Sequence, residues 1–278
     1  MSSSGQGKNK NGNGSGRTNN DEHLKEKLIN SKIGLINAGG SCYMASIVQI
    51  LMHLRKFLDI FLSKTYNNNF SKKFQKFLKL VAETNYQEIE IKQLADEYNK
   101  SNNKFNGEEG NNPMTFFTEL IKELNKDNKD IQNLFLGEKS VKLKDFPDDY
   151  NEKFLFYLVI LDKNNYNITT FINKKIYDDE KEKRHNNPIL QENIVKIPDI
   201  LIINLEIENT KYEGEETILV QSDKYNLIAV NKYTDHHSIS MKLSFLIYSI
   251  KKVLIINIII IMNSNMFTIF FMKKIMNK

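Results

Sequence analysis

The spacing of apolar residues changes once along this chain, near residue 135. Before that point apolar positions recur at helical intervals. Ile47, Val48, Ile50, Leu51 and Leu54 predict a helix that starts at Ser41-Cys42 and runs to about His53 or beyond. Phe70, Phe74, Phe77, Leu78 and Val81 mark a second amphipathic helix, and Ile89–Tyr98 a short third one. Asn112-Pro113 opens a fourth, with a capping side chain followed by proline at the first helical position. Its stripe is Met114, Phe117, Ile121 and Leu124. After residue 135 the runs are strand-length and rich in Ile, Leu, Val and Tyr: Phe154–Leu161, Ile200–Ile207, Thr217–Val220, Tyr225–Val230 and Ser238–Leu243. Helices first and mainly antiparallel strands later predict an α+β fold, and no internal repeat is visible.

The two ends depart from these patterns. Residues 1–22 are Ser, Gly, Asn and Lys with almost no apolar position, a composition expected to stay disordered, with order setting in near His23–Ile33. Ser101–Asn112 reads as a polar loop. Residues 246–278 are strongly apolar, and within them Val253–Met272 is 20 uncharged residues between Lys251-Lys252 and Lys273-Lys274. That length suits a membrane anchor, although Asn257, Asn263, Ser264, Asn265 and Thr268 interrupt it. Closing sheet strands, or a chain end outside the selected coding sequence, are the two other readings, and membrane contact is not the favoured one. The ordered domain is placed at residues 31–245.

Composition narrows the chemistry. Hydrophobic residues at 40% are enough for a packed core in a chain of 278. Net charge is +5, but lysines alternate with acids along most of the length, which reads as a solvated surface and argues against a nucleic-acid partner. No early apolar run resembles a secretory signal. The single cysteine, Cys42, excludes an internal disulfide framework and any Cys-ligated zinc site, and suits a reducing compartment such as cytoplasm or nucleus. No metal or cofactor is expected.

Cys42 follows Gly39-Gly40-Ser41 at the start of the first helix. Ser41 is read as its N-cap. A thiol in a first helical turn faces N–H groups and the positive helix end, which favour thiolate. A nucleophilic thiol also needs a base and donors for an oxyanion. Of five histidines, His23 lies in the lead-in, His185 in the charged stretch 178–184 and its border, and His53 about three turns along the helix of Cys42. His236-His237, at a turn between Tyr225–Val230 and Ser238–Leu243, remain as candidates.

Gly34-Leu-Ile-Asn37-Ala-Gly39-Gly-Ser-Cys42-Tyr43-Met44-Ala-Ser46-Ile-Val-Gln49-Ile-Leu51 resembles the cysteine box of ubiquitin-specific proteases, with Ser41 in place of Thr and Ala45 in place of Asn. Further resemblances follow in the same order. Asn111–Leu124 keeps the apolar frame of a family helix, Ile197-Pro198–Leu205 resembles the family's L-P-x-x-L strand, and Tyr225–Val230 with His236 resembles its histidine box. The resemblance spans about residues 33–243.

That resemblance implies a papain-like fold: a helical lobe carrying Cys42, a sheet lobe carrying the histidine, and a cleft between them. It implies a cysteine-type deubiquitinase hydrolysing the bond after the C-terminal glycine of ubiquitin, with ubiquitin and ubiquitinated proteins as partners. Cys42 takes the nucleophile's place, Asn37 the oxyanion-hole place and His236 the base's place. In the alternative register His237 is the base and points to the opposite sheet face. The orienting Asp or Asn expected beyond the histidine has no clear counterpart. No Asp or Glu follows Asp235, and the downstream candidates are Asn257, Asn263 and Asn265. The absent orienter motivates a second reading, a catalytically impaired relative that binds ubiquitin as an interaction protein. A fingers-like insertion is expected between about residues 138 and 190, without Cys-ligated zinc. Six acids between Glu206 and Asp223, against Lys211 alone, read either as a strip suited to ubiquitin's basic tail or simply as exposed strand edges and turns.

Overall fold

A computed structural model describes residues 19–37, 40–101, 112–143, 146–161, 167–174, 189–207, 217–233, 238–242 and 267–274. Helix α1 (Asn19–Ile29) leads into the short strand β1 (Gly34–Ile36), which is followed by helices α2 (Cys42–Leu51), α3 (Arg55–Leu62) and α4 (Asn69–Glu83). A second short strand, β2 (Glu88–Glu90), precedes α5 (Lys92–Ser101), α6 (Pro113–Asn125) and α7 (Lys129–Phe135). Strands then dominate: β3 (Gly137–Leu143), β4 (Tyr150–Phe154), β5 (Tyr157–Leu161), then helix α8 (Ile168–Lys174), β6 (Ile189–Lys196), β7 (Ile200–Ile207), β8 (Thr217–Val220), β9 (Asp223–Tyr233), β10 (Ser238–Lys242) and β11 (Phe267–Lys274). Helices therefore precede strands, and the fold is α+β.

Several helix signals act as the sequence suggests. Asn112 caps α6 by accepting from Met114 N at 2.8 Å, with Pro113 at the first helical position. Asn68 caps α4 in the same way through Ser71 N at 2.7 Å. The α4 stripe Phe70, Phe74, Phe77, Leu78 and Val81 is buried in the helical core. Three expectations are corrected. Helix α1 begins at Asn19, inside the stretch expected to be disordered, because Asp21 and Glu22 suit a first helical turn and Glu22 pairs with Arg55 of α3. Ile89 belongs to β2, and the helix begins only at Lys92. Phe154–Leu161 is two strands in different sheets, because Leu155 and Phe156 between them turn into the helical core.

Buried ion pairing fixes α1 against α3. The Lys25 ammonium is 2% exposed and donates to Asp59 Oδ1 at 2.7 Å. Arg55 reaches the same oxygen at 3.3 Å and also Glu26 at 2.5 Å. Burial alone would raise the Asp59 pKa, but Lys25 and then Arg55 hold it below the ordinary 3.8. A carboxyl depressed in the folded state contributes stability above its unfolded pKa, and loses it as pH falls through the folded one. Asp59→Asn is expected to cost about 2–3 kcal/mol at pH 7, the low side for breaking a buried pair because Asp59 is itself partly exposed. Thermal melts should show that this deficit shrinks on acidification below about pH 4. A deficit that stays constant down to pH 2 would show that the pair is not what Asp59 contributes.

The strands form two assemblies. A three-stranded antiparallel sheet, ordered β4-β3-β6, draws β3 and β4 from the 138–190 span expected as an insertion and β6 almost wholly from beyond it. It is joined to the rest through buried Glu192, which accepts from Lys139 at 2.6 Å and from the Tyr157 hydroxyl at 3.3 Å. The larger sheet runs β10-β9-β11-β7-β5, with β8 also on β9; β5 and β7 are parallel and the other pairs antiparallel. One face carries Ile200, Ile202 and Ala229 into the helical core. The other carries Leu201, Ile203, Leu205, Tyr225 and Leu227 into a second core shared with α8. A register shift opposite Phe271/Met272 moves Leu227 and Ala229, two residues apart, to opposite cores.

Strand β11 answers part of the question posed by the chain end. Phe267–Met272, the close of the long apolar stretch, lies in the middle of the sheet between β7 and β9. A strand with a core on each face has no reason to alternate apolar and polar residues, so its sequence resembles a membrane segment. Among the described residues no helix is long and apolar enough to cross a membrane. Residues 253–266 lie outside the described residues.

Candidate active site

Cys42 is the first residue of α2 and is half-buried, while the apolar stripe behind it (Ile47, Val48, Ile50 and Leu51) is buried in the helical core. Hydrophobic packing of one helix face thus fixes the opposite end of the helix at the surface. The first intrahelical bond is Ala45 N to Ser41 O at 2.9 Å, so the Cys42 N–H has no acceptor inside its own helix. Tyr43 is 1% exposed and meets Phe116 edge-on, with ring centroids 5.4 Å apart. The residue beside the thiol is therefore anchored in the core.

Ser41 stands at the N-cap position of α2, as expected, but does not cap it with its side chain. The residue is 3% exposed and its hydroxyl donates to Asn37 Oδ1 at 2.9 Å. A serine before a helix has two uses for its hydroxyl, and the nearby carboxamide wins over the helix N–H. Asn37 itself is exposed and directly follows β1. Asn37 and Cys42 thus flank one buried serine.

Strand β1 is tied down on both sides. On one side it pairs in parallel with β2, Leu35 opposite Ile89, with Gly34 N donating to Gln87 O at 2.9 Å. On the other, the Gln49 carboxamide of α2 stands in for a neighbouring strand, donating to Ile33 O at 3.0 Å and accepting from Leu35 N at 3.2 Å. His53 Nε2 lies 3.3 Å from Gln49 Nε2. Gln49 has no place in a reading based on nucleophile, base and oxyanion donor. Its signal is a polar residue inside the apolar run Ile47-Val48-Gln49-Ile50-Leu51.

The other site residues fall as follows. His23 is exposed on α1, and His53 follows the C-terminal end of α2 in contact with Gln49. His185, His236, His237, Asn257, Asn263 and Asn265 lie outside the described residues. Strand β10 opens at Ser238, immediately after His237, and α2 packs against β10. The helix of Cys42 and the strand that follows the two histidines are therefore neighbours.

The sheet that carries this segment is anchored at its far end. The buried Tyr225 hydroxyl donates to Pro198 O at 2.6 Å, linking β9 to the turn before β7, and its pKa is driven well up by burial and by Asp223 and Asp199. Lys274 closes the same corner, its ammonium on Asp223 at 2.6 Å and its N–H on Asp199 O at 3.1 Å. Of the acidic strip, Asp223 is thus already paired; residues 208–216 lie outside the described residues. Among the described residues no group of three or more His, Cys, Asp or Glu side chains could hold a metal ion.

Among curated proteins none matches the sequence. Many solved structures match, two of them as follows. The SAGA DUB module of Ubp8, Sgf11, Sus1 and Sgf73 bound to monoubiquitin matches at 14% identity and TM-score 0.62, over 92% of this chain and 71% of that one. An essential yeast splicing factor matches at 14% identity and TM-score 0.60, over 88% of this chain and 70% of that one. A family model described as ubiquitin carboxyl-terminal hydrolase matches residues 33–249, a span that holds Asn37, Cys42, His236 and His237. The chain therefore belongs to the ubiquitin carboxyl-terminal hydrolase family and has its papain-like α+β fold.

Proposed function

We propose that the chain is a cysteine-type deubiquitinase that cleaves the bond after the C-terminal glycine of ubiquitin on protein conjugates. The observation that carries this reading is the juxtaposition of a half-buried Cys42 at a helix start with exposed Asn37 across buried Ser41. In the proposed sequence the Cys42 sulfur attacks the glycine carbonyl carbon and the carbonyl oxygen becomes an oxyanion. The Asn37 amide and the Cys42 N–H stabilise that charge. His236 accepts the thiol proton and passes it to the departing lysine amine as the C–N bond breaks. Water, losing its proton to the same imidazole, then attacks the thioester and releases ubiquitin's carboxylate and the thiol. Ubiquitin as partner is supported by a structural neighbour solved with monoubiquitin. A lone free cysteine suits cytoplasm or nucleus, where we place the protein.

A second reading, ubiquitin binding without cleavage, draws on the missing orienter: no acid follows Asp235. Ubiquitin carrying a C-terminal electrophile separates the two. The enzyme is expected to form a covalent adduct that Cys42→Ala abolishes. Tight binding with no adduct would establish the second reading. Adduct formation and turnover lost in His236→Ala and kept in His237→Ala would support the assigned base; the reverse pattern would transfer the role to His237.

A further inference from the structure

Resting on the hydrolase reading above, we infer that Ser41 is a positioning residue for the oxyanion step: its buried hydroxyl locks the Asn37 carboxamide so that Nδ2 is presented to the reacting carbonyl. A free asparagine at the surface samples several rotamers, and its carboxamide can offer either an acceptor or a donor to the cleft. Only the donor stabilises an oxyanion, and an oxygen in the same place would repel it. The Ser41 hydroxyl removes that choice. It donates to Oδ1 at 2.9 Å, which holds the oxygen toward the buried serine and leaves Nδ2, on the other arm of the carboxamide of an exposed residue, as the group to offer.

The lock works only if both of its ends are fixed, and they are. Ser41 is 3% exposed and its carbonyl accepts the first bond of α2, so burial and the helix hold the residue that carries the hydroxyl. The backbone leading to Asn37 is held by Gln49 on one edge and β2 on the other. Because Gln49 belongs to the helix of Cys42, nucleophile and oxyanion donor are referred to one rigid element. Preorganised donors contribute in the transition state because they need no reorientation as charge develops. Disorder in Asn37 is therefore read in kcat and not in KM.

The test is kinetic and spectroscopic. With a fluorogenic ubiquitin substrate, Ser41→Ala is expected to lower kcat about tenfold, the worth of one hydrogen bond, with KM unchanged. Ser41→Thr, which keeps the hydroxyl, should restore it. The double variant Asn37→Ala/Ser41→Ala should be no slower than Asn37→Ala alone, since the lock has nothing left to hold. Wild-type kcat in Ser41→Ala, an effect confined to KM, or additive losses in the double variant would overturn the inference. NMR gives a readout independent of turnover. The Asn37 side-chain amide pair, assigned by its loss in Asn37→Ala, should shift and broaden in Ser41→Ala and stay in place in Ser41→Thr. An amide pair unchanged by Ser41→Ala would overturn the lock even in a protein without hydrolase activity, whereas an inactive wild type with the NMR change would overturn only the enzymatic reading.

Discussion

Asn37→Ala is expected to lower kcat for ubiquitin hydrolysis by about 10²–10³-fold, the usual effect of deleting one oxyanion donor. The side chain is exposed at the end of β1 and packs no core, so the loss should not come from unfolding. KM should change little, because the ground-state carbonyl oxygen carries far less charge than the oxyanion. Alkylation of Cys42 by iodoacetamide should proceed at the wild-type rate, since the thiol keeps its place at the start of α2. Lower kcat with intact thiol reactivity separates loss of the oxyanion donor from damage to the nucleophile. Asn37→Asp should be slower still, because it places a carboxylate where negative charge develops. A kcat within about twofold of wild type for Asn37→Ala would assign the oxyanion donors elsewhere.

The helix start at Cys42 was legible for a physical reason: a loop, a helix start and a thiol lie within a few residues, where local sequence encodes local geometry. Long amphipathic helices were legible as well, since α4 and α6 repeat their apolar spacing for several turns and α6 announces its start with Asn112-Pro113. Strands β7 and β8 were readable from end to end. The features that were not legible depend on partners distant in sequence. Strands β1 and β2 have three residues each, too few for any period, and exist because they pair with one another while Gln49 holds the outer edge of β1. The break between β4 and β5 falls where Leu155 and Phe156 choose the helical core over a continued strand. Strand β11 showed its composition but not its place, because a central strand with two apolar neighbours and a membrane segment make the same demand on side chains. Ser41 was read by its commonest use, as a cap, when a carboxamide four residues away had the stronger claim on its hydroxyl.

Phe116→Ala should give the largest stability loss with a catalytic consequence. Buried rings form a continuous series through the helical lobe. Tyr43 meets Phe116 at 5.4 Å, Phe116 meets Tyr98 at 5.1 Å, Tyr98 meets Phe70 at 5.1 Å, and Phe70 leads on to Phe74 and Phe61. Phe116 has no solvent exposure, so truncation removes a ring from a site that can collapse only partly, at a cost of about 3–5 kcal/mol. For a domain of this size that corresponds to a melting temperature lower by roughly 10 °C. The ring also supports Tyr43, the residue next to Cys42, the proposed nucleophile, so its loss should loosen the first turn of α2 and lower kcat in protein that is still folded. Phe61→Ala supplies the comparison. Phe61 is equally buried, among Phe57, Tyr66 and Phe74, but it does not contact Tyr43. Measured well below both melting temperatures, Phe61→Ala should lose similar stability with near-wild-type kcat, and Phe116→Ala should lose both. Equal kcat in the two variants would mean that the position of Cys42 is set by the apolar stripe of α2 alone, without the aromatic series behind Tyr43.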